Sequence, residues 1–334
     1  MSADATRRAS LLFGSMLASL LVLEAGVRLF YPQNLSGWWM VRHASGLVLN
    51  RAEGSARHAF RDIAVVYSFG PHHNRKVVRA NERVDGRLLL LGDSFAFGWL
   101  VADGTTFADR LQARFSHYEL VNAAVGGWGT ADHVKYLELF CRDLHPSMVY
   151  LLMNSYDIDR AANSHLYQLD VHGALGEGPA AGNADMKFVL NKLPVYGWLL
   201  EHSHLAQFAR RRLLAPAERG SVAAPDAIAA DANALGRALF LKLKADSAAC
   251  GTSLQVFFTG WWQARDGENL TVPFVRRAVA EGFFASNGIA FHDLGETAAM
   301  STLLRDRSRY TIPDDGHPNA AGAELLARAI GEIY

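Results

Sequence analysis

Three residue types that together form a nucleophilic site occur at two widely separated places in the chain. Ser94 ends a Gly-Asp-Ser segment that follows an apolar stretch, and His317 lies far along the chain with Asp314 three residues before it. A serine hydroxyl is a weak nucleophile that needs an adjacent base, and a histidine serves when a carboxylate fixes its tautomer. The pattern predicts Ser94 as nucleophile, His317 as base and Asp314 as orienting carboxylate. Asp315, in an Asp-x-His spacing, is the alternative orienting residue.

Other polar or glycine-rich segments also follow apolar stretches. A glycine-rich turn at 126–129 comes after the apolar segment 118–125, and Asn154 follows the apolar segment 148–153. Ligands of open α/β sheets bind beyond the carboxyl ends of the strands, so residues placed there share one edge of the sheet. We therefore expect the serine, the glycine turn, the asparagine and the Asp/His pair to meet at that edge. Backbone N–H groups of a glycine turn are suited to stabilising an oxyanion.

The elements that must position these residues alternate between strands and helices. Short apolar strands are predicted at 87–91, 118–125, 148–153, 253–258 and 289–293, and helices at 106–115, 131–142, 230–248, 272–286 and 320–333. Such alternation predicts a parallel sheet covered by helices on both faces. The fold class is therefore α/β, a flavodoxin-like three-layer sandwich with a five-stranded parallel sheet.

Two regions depart from this alternation. Residues 32–86 are irregular and polar with two aromatic clusters, and are predicted to be a connector that packs onto the domain. Residues 160–229 contain a Gly/Ala-rich loop, a helical stretch at 195–214 and a linker with two prolines. They predict a helical insertion between the third and fourth strands, or a lid. The domain that holds the sheet is placed at 87–334.

The N-terminal segment carries a basic start and an apolar run. Arg7 and Arg8 precede an uncharged stretch from Leu11 to Leu23, and apolar character continues to Tyr31. A helix over this whole length is about long enough to span a bilayer. We expect a cytoplasmic tail at 1–9 and a single-pass anchor at 10–31 in the inner membrane, with the body on the extracytoplasmic, periplasmic side because the basic residues stay inside. A cleaved signal peptide and a buried or surface helix are the alternatives.

Composition narrows the classes of partner and cofactor. The chain has 33 basic and 33 acidic residues, so no overall field attracts nucleic acid. We expect no cofactor and no metal. The two cysteines in particular are too few for a structural zinc site. Cys141 and Cys250 precede the third and fourth predicted strands, which would be neighbours in a flavodoxin-like order. A disulfide between them is an open alternative in an oxidising compartment. The sequence leaves the oligomeric state open.

The motifs together resemble the SGNH (GDSL-type) hydrolase family, in a membrane-anchored bacterial form. Leu88–Val125 is similar to the family's opening, with Gly-Asp-Ser-Phe followed by a Phe-Gly pair and Val-Asn-Ala, and Gly127 comes just after it. Asp314 through Gly322 resembles its closing Asp-x-x-His block. The resemblance covers roughly residues 87–160 and 289–334 and is weak in the insertion. It implies the triad of Ser94, His317 and Asp314, with the backbone amides of Ser94 and Gly127 as oxyanion donors.

One block departs from that family pattern. The family carries Gly-x-Asn-Asp after the third strand, and here Tyr156 stands at the asparagine position before Asp157. Asn154, two residues earlier, lies on the same face if the strand continues. Either Asn154 substitutes as third oxyanion donor, or that donor is missing. A missing donor typically lowers the rate about 100- to 1000-fold.

The resemblance implies a serine esterase acting on O-acyl esters, with acetyl groups on a glycan as the preferred substrate. An O-acyltransferase using the same triad, a weakly catalytic envelope binding or assembly protein and a lipase for long acyl chains are the alternatives. Side chains near the predicted edge are candidate substrate contacts, with plain packing as the competing interpretation of the aromatic ones. They are Asp93, Trp128, Tyr156, Trp261 and Trp262.

Overall fold

The computed structural model describes residues 3–78, 84–154, 156–179, 186–190, 193–214, 225–259 and 277–334. The chain divides into two compact units. The smaller unit comprises Met1–Trp38, Ala56–Val65 and Ala184–Ser221, and the larger one Trp39–Ser55, Val66–Asn183 and Val222–Tyr334.

The strands and helices alternate through most of the larger unit. In chain order, the strands are β1 (Met40–Arg42), β2 (Val48–Asn50), β3 (Gly54–Phe60), β4 (Ile63–Phe69), β5 (Gly86–Gly92), β6 (Tyr118–Asn122), β7 (Met148–Met153), β8 (Tyr167–Leu169), β9 (Leu175–Glu177), β10 (Ser253–Phe258) and β11 (Ala290–Asp293). The helices are α1 (Ala3–Phe30), α2 (Ser94–Phe97), α3 (Phe107–Arg114), α4 (Thr130–Leu144), α5 (Asp157–Ser164), α6 (Met186–Leu190), α7 (Pro194–His202), α8 (His204–Leu214), α9 (Pro225–Ala249), α10 (Arg277–Ser286), α11 (Ala298–Arg305), α12 (Arg307–Tyr310) and α13 (Ala320–Gly331).

A five-stranded parallel sheet forms the centre of the larger unit. Its strand order is β11-β10-β7-β5-β6, which is the flavodoxin-like order 2-1-3-4-5. The central strands are apolar along their length, since Leu88 to Leu91 of β5 are all buried, as expected for strands covered on both faces. The predicted α/β fold class with a five-stranded parallel sheet is confirmed. The bounds predicted for the strands at 148–153 and 253–258 match β7 and β10.

The region predicted to be irregular, 32–86, instead contains four short strands, so that prediction was wrong. β1 pairs with β2 in an antiparallel two-stranded sheet, and β3 and β4 form another two-stranded sheet. The alternation of β4 is a strand signal: Val65, Tyr67 and Phe69 are buried while Val66 is exposed. The three-residue strands β1 and β2 are too short to give a periodic sequence signal, whereas the alternation of β4 could have been detected.

A disulfide joins Cys141 near the end of α4 to Cys250 just after α9. Their Cα atoms lie 6.3 Å apart, within the range that a disulfide spans. β7 and β10, which follow the two cysteines, are hydrogen-bonded neighbours in the sheet. The adjacency expected from the flavodoxin-like order therefore brings the two cysteines together.

The smaller unit contains α1 and the helices α6 to α8. By length and composition, Asp4–Phe30 is long and apolar enough to cross a membrane. The single helix predicted at 195–214 is two helices, because the chain bends at Ser203 between α7 and α8. A hydrogen bond from the backbone N–H of Ser203 to the carbonyl of Leu199 closes α7 at that point.

Candidate active site

Ser94 is the first residue of α2, directly after the carboxyl end of β5. The Asp93 carboxylate caps this short helix by accepting a hydrogen bond from the Phe95 N–H at 2.9 Å. Gly92 has φ 158°, and a Cβ there would lie 2.6 Å from the Cβ of Ala96. The strand-to-helix turn therefore needs glycine at position 92. This turn fixes Ser94 at the predicted edge of the sheet, with its side chain 6% exposed.

Ser94, His317 and Asp315 form a hydrogen-bonded chain. The Nε2 atom of His317 lies 2.8 Å from Ser94 Oγ, and its Nδ1 atom lies 2.6 Å from Asp315 Oδ1. With Nδ1–H donating to the carboxylate, Nε2 is left to accept the serine hydroxyl proton. This arrangement of serine, imidazole and carboxylate matches what nucleophilic catalysis requires.

The structure pairs His317 with Asp315, whereas the spacing in the sequence favoured Asp314. Asp314 has a left-handed backbone, φ 58°, and its side chain is exposed. The loop is closed by a hydrogen bond from Ile312 N–H to the His317 carbonyl at 2.8 Å. Within this tight turn the residue two before the histidine faces the imidazole, so the Asp-x-His alternative describes the observed geometry.

Two aromatic side chains flank the imidazole of His317. The Phe95 ring centroid is 5.3 Å away and the Trp99 ring centroid is 5.7 Å away. Both side chains are partly exposed. Trp99 also lies against Gly126, where a Cβ would approach its ring to 3.1 Å. The aromatic pair therefore narrows the space beside Ser94 and His317.

The residues proposed as oxyanion donors follow three neighbouring strands. Ser94 follows β5, Gly127 lies in the turn after β6 and Asn154 follows β7. Gly127 has φ 87° and is exposed, and Ser94 at the start of a helix has an N–H that the helix itself does not use. Asn154 is 8% exposed, and its Oδ1 accepts a hydrogen bond from the Tyr156 N–H at 2.8 Å. The side chain of Asn154 is thus held in one orientation.

A buried ionic network lies behind these donors. The Asn154 side-chain amide donates to the Asp93 carboxylate, and Arg160 Nη1 donates to the same carboxylate at 2.7 Å. Arg160 Nη1 also lies 3.3 Å from the carbonyl oxygen of Trp128, next to Gly127. Asp93, expected as a substrate contact, is instead 1% exposed and bound by these groups. Sequence reasoning missed Arg160, because its position one turn into α5 carries no motif.

Two more carboxyl groups lie close to this network. Asp157 is fully buried, and burial together with the charge of Asp93 raises its pKa well above the usual value. Burial raises the pKa of Asp132 to about 7, while the Gly129 N–H lowers it. Arg160 lies 3.9 Å from Asp157 as well as 2.7 Å from Asp93. The guanidinium therefore offsets negative charge close to the oxyanion donors.

A second arginine, this one fully buried, holds the turn that carries Ser94. Arg75 is 0% exposed and donates to the carbonyl oxygens of Phe97 at 2.9 Å and Gly98 at 2.6 Å. Its guanidinium also forms an ion pair with Asp103 at 2.8 Å. Asn122 supports the same turn by donating to the Ala96 carbonyl at 2.9 Å. The region 32–86 thus supplies a clamp for the turn that carries Ser94, and the sequence pattern did not predict it.

The aromatic residues expected at the substrate site have different positions. Trp128 is 2% exposed and donates from Nε1 to the Val48 carbonyl at 2.6 Å, so its side chain belongs to the core. Tyr156 is exposed, with its ring 5.6 Å from the Arg160 guanidinium. Trp261 and Trp262 lie outside the described residues.

A cavity of about 370 Å³ opens beside the glycine turn. Its walls include Gly126, Gly127 and Arg160 together with the polar segment 163–165, Asn-Ser-His. Within the described part of the chain, no group of three or more His, Cys, Asp or Glu side chains could hold a metal ion.

Comparisons with known proteins find similarity to solved structures only. No protein-family model matches the chain, and no curated protein matches it. The psychrotrophic esterase EstA from Pseudoalteromonas sp. is 12% identical, with 74% of this chain and 96% of that chain covered and a TM-score of 0.41. The acetylxylan esterase Axe2 from Geobacillus stearothermophilus, solved as a catalytic mutant, is 16% identical, with 76% and 95% covered and a TM-score of 0.41.

A third match is a lipolytic protein of the G-D-S-L family from Desulfitobacterium hafniense. It is 11% identical, with 75% of this chain and all of that chain (100%) covered, and the TM-score is 0.41.

Proposed function

We propose that the protein is a serine esterase that acts on O-acyl esters through a triad of Ser94, His317 and Asp315. The observation that carries this proposal is the continuous pair of hydrogen bonds from Ser94 Oγ to His317 Nε2, 2.8 Å, and from His317 Nδ1 to Asp315, 2.6 Å. The alignment of all three groups at the carboxyl edge of the sheet supports it further.

The reaction proceeds in two acyl-transfer steps. Ser94 Oγ attacks the ester carbonyl carbon while His317 Nε2 takes its proton, and Asp315 stabilises the imidazolium that forms. The tetrahedral oxyanion is stabilised by the Ser94 and Gly127 backbone N–H groups and by Asn154. When the C–O bond breaks, His317 protonates the leaving alcohol. Water, deprotonated by His317, then attacks the acyl group and releases the acid and Ser94.

Each oxyanion donor has a defined role in this proposal. The Asn154 amide has two N–H bonds, of which one goes to Asp93, so the other is available to the substrate. The negative charge of Asp93 would oppose an oxyanion, and the Arg160 ion pair offsets it. Asn154 therefore takes the place of the third donor, although Tyr156 occupies the usual position.

The surroundings of the site favour a short acyl group and a polar alcohol part. Phe95 and Trp99 narrow the space beside His317, which suits an acetyl group. The cavity next to Gly127 has a polar wall at Asn163, Ser164 and His165, which suits a hydroxylated alcohol such as a sugar. An acetylated glycan fits both features. A sugar hydroxyl in place of water as the acceptor would make the same triad an O-acyltransferase.

For its location we propose an extracytoplasmic domain anchored in the inner membrane by α1. The helix is apolar over enough residues to span, and Arg7 and Arg8 precede the apolar run. The Cys141–Cys250 disulfide supports an oxidising compartment such as the periplasm.

The test is the hydrolysis of nitrophenyl esters of increasing acyl length by the purified chain. We expect acetate to be hydrolysed best, and Ser94→Ala to lower kcat on the order of 10⁶-fold, to near background. Ser301→Ala, at an exposed serine of α11, is the matched control and should leave the rate unchanged. Equal activity in wild type and Ser94→Ala would refute the esterase proposal. A preference for long acyl chains would refute the proposed short acyl group but not the esterase activity.

A further inference from the structure

Helix α7 presents one apolar face that the smaller unit leaves exposed. Val195 is 68% exposed and Trp198 is 60% exposed. The two residues are three apart, and His202, four beyond Trp198, stacks on its ring at 4.7 Å. Positions three, four and seven apart share one face of a helix. The opposite face carries Leu200, which is fully buried. The exposure therefore belongs to one face and is not a sign of a loosely packed helix.

The residues that follow α7 are hydrogen-bonded to one residue of α1, Glu24. The Glu24 carboxylate accepts hydrogen bonds from Ser203 Oγ at 2.7 Å, from His204 N–H at 3.0 Å and from Leu205 N–H at 2.9 Å. Gln33 N–H adds a bond to His204 Nδ1 at 2.9 Å. The corner between α7 and α8 thus cannot move along α1 without breaking these bonds.

Glu24 directly follows the uncharged run that ends at Leu23. In an α1 that crosses a bilayer, Glu24 lies at the outer boundary of the hydrocarbon or just inside it. An ionised carboxylate at that depth is costly unless donors surround it. The three donors of the α7–α8 corner supply that compensation. The corner must therefore lie at the same depth as Glu24, and Trp198, five residues before Ser203, lies within about 8 Å of that depth along the helix.

We infer that α7 is an interfacial helix whose Val195–Trp198 face lies in the boundary layer of the bilayer that α1 spans. This inference rests on the membrane anchoring proposed above. The occupant of the face is lipid, because the face is continuous in depth with the apolar surface of α1. Tryptophan suits this layer, since its ring is apolar and its N–H can reach the headgroups. A short helix with one apolar face lies in the plane of such an interface.

The same contacts separate α7 from the basic end of α8. Phe208, one turn into α8, contacts Tyr31 at the far end of α1, with ring centroids 6.5 Å apart. α8 therefore runs away from the level of Glu24, and Arg210 stacks on Trp38 at 4.9 Å. The lipid contact is assigned to α7 and not to the arginines.

The test is spin-label accessibility of the full chain in lipid nanodiscs. Single labels are placed at Val195→Cys, at Leu17→Cys in α1 and at Val171→Cys, which is 95% exposed in the turn between β8 and β9. The native cysteines are joined in a disulfide and do not take up the label. Collision rates are measured with molecular oxygen, which concentrates in lipid, and with a water-soluble nickel complex.

We expect oxygen to exceed nickel at positions 17 and 195, and the order to reverse at position 171. A label at 195 that behaves like the label at 171, while 17 is in lipid, would overturn this inference and leave the anchor in place. Low collision rates with both reagents at 195 would show a protein contact, which also overturns it. Nickel in excess at 17 would contradict the anchor and the inference together.

Discussion

At the residue scale, the choice between two adjacent aspartates decides how the base is oriented. The sequence pattern favoured Asp314, three residues before His317, while the loop places Asp315 at 2.6 Å from Nδ1. Spacing alone could not settle this, because it depends on the left-handed backbone of Asp314 and on the closure of the loop by Ile312. The proximity of Ser94 and His317 could be predicted, since each residue stands in a recognisable block.

Replacing each aspartate separately tests this assignment. Asp315→Asn should lower kcat for ester hydrolysis by roughly 10³- to 10⁴-fold, because the amide no longer fixes the imidazole tautomer or stabilises the imidazolium. Asp314→Asn, the matched control one residue away, should change kcat less than about twofold. Steady-state kinetics on a nitrophenyl acetate substrate measure both. The opposite ranking of the two variants would return the role to Asp314.

Arg160 offers a second test at this scale, because in the proposed mechanism it acts on the oxyanion through Asp93 and Asn154. Arg160→Met leaves the Asp93 carboxylate without its ion pair, and its charge then opposes the developing oxyanion. We expect kcat to fall roughly 10- to 100-fold, less than the 100- to 1000-fold of a lost donor, with KM changed little. Arg160→Lys keeps the charge and should recover part of kcat. A loss confined to KM would show that Arg160 binds substrate in the ground state.

At the scale of elements, the sheet and its helices could be predicted because apolar strands and amphipathic helices have strong periodic signals. The role of the region before β5 could not be predicted, because it acts through contacts with residues far away in the sequence. Arg75 reaches from this region to the carbonyl oxygens of Phe97, Gly98 and Val101 around the Ser94 turn. A local sequence pattern does not predict the role of an arginine whose partners lie more than 20 residues away.

Removing that arginine should destabilise the fold. Arg75→Met leaves Asp103 without its buried partner and three carbonyl groups without their donor, so we expect a loss of about 3–5 kcal/mol in the free energy of unfolding. The control is Arg87→Met, which breaks a partly exposed pair with Glu119 and a hydrogen bond to the Leu144 carbonyl and should cost about 1–2 kcal/mol. Urea unfolding of the three proteins measures this. Equal midpoints for the two variants would contradict the clamp.

At the scale of the whole molecule, one buried histidine ties stability to pH. Burial lowers the pKa of His133 from 6.5 to about 3, and its side chain lies in the core beside Trp128. Below pH 6.5 the His133 imidazole is protonated in the unfolded chain, whereas in the folded protein it stays neutral until the pH approaches 3. The contribution of His133 is therefore complete above pH 6.5 and is lost as the pH falls toward 3.

His133→Phe removes this dependence while keeping a ring of similar size. Between pH 7 and pH 4, we expect the wild type to lose roughly 3 kcal/mol more unfolding free energy than the variant. Burial raises the pKa of Asp132 to about 7, so its contribution to the unfolding free energy increases as the pH falls. Because Asp132 is present in both proteins, this contribution cancels in the comparison. Denaturant titrations at the two pH values give the difference. Parallel losses in the two proteins would show that His133 does not titrate on unfolding.

The reactivity of Ser94 tests the central claim most directly. A fluorophosphonate forms a covalent bond only with a serine that an adjacent base activates. We expect peptide mapping to find the label on Ser94 in the wild type, on no serine in Ser94→Ala, and on Ser94 only slowly in His317→Gln. A folded wild-type protein that leaves Ser94 unlabelled would contradict the account and favour a binding role for this fold.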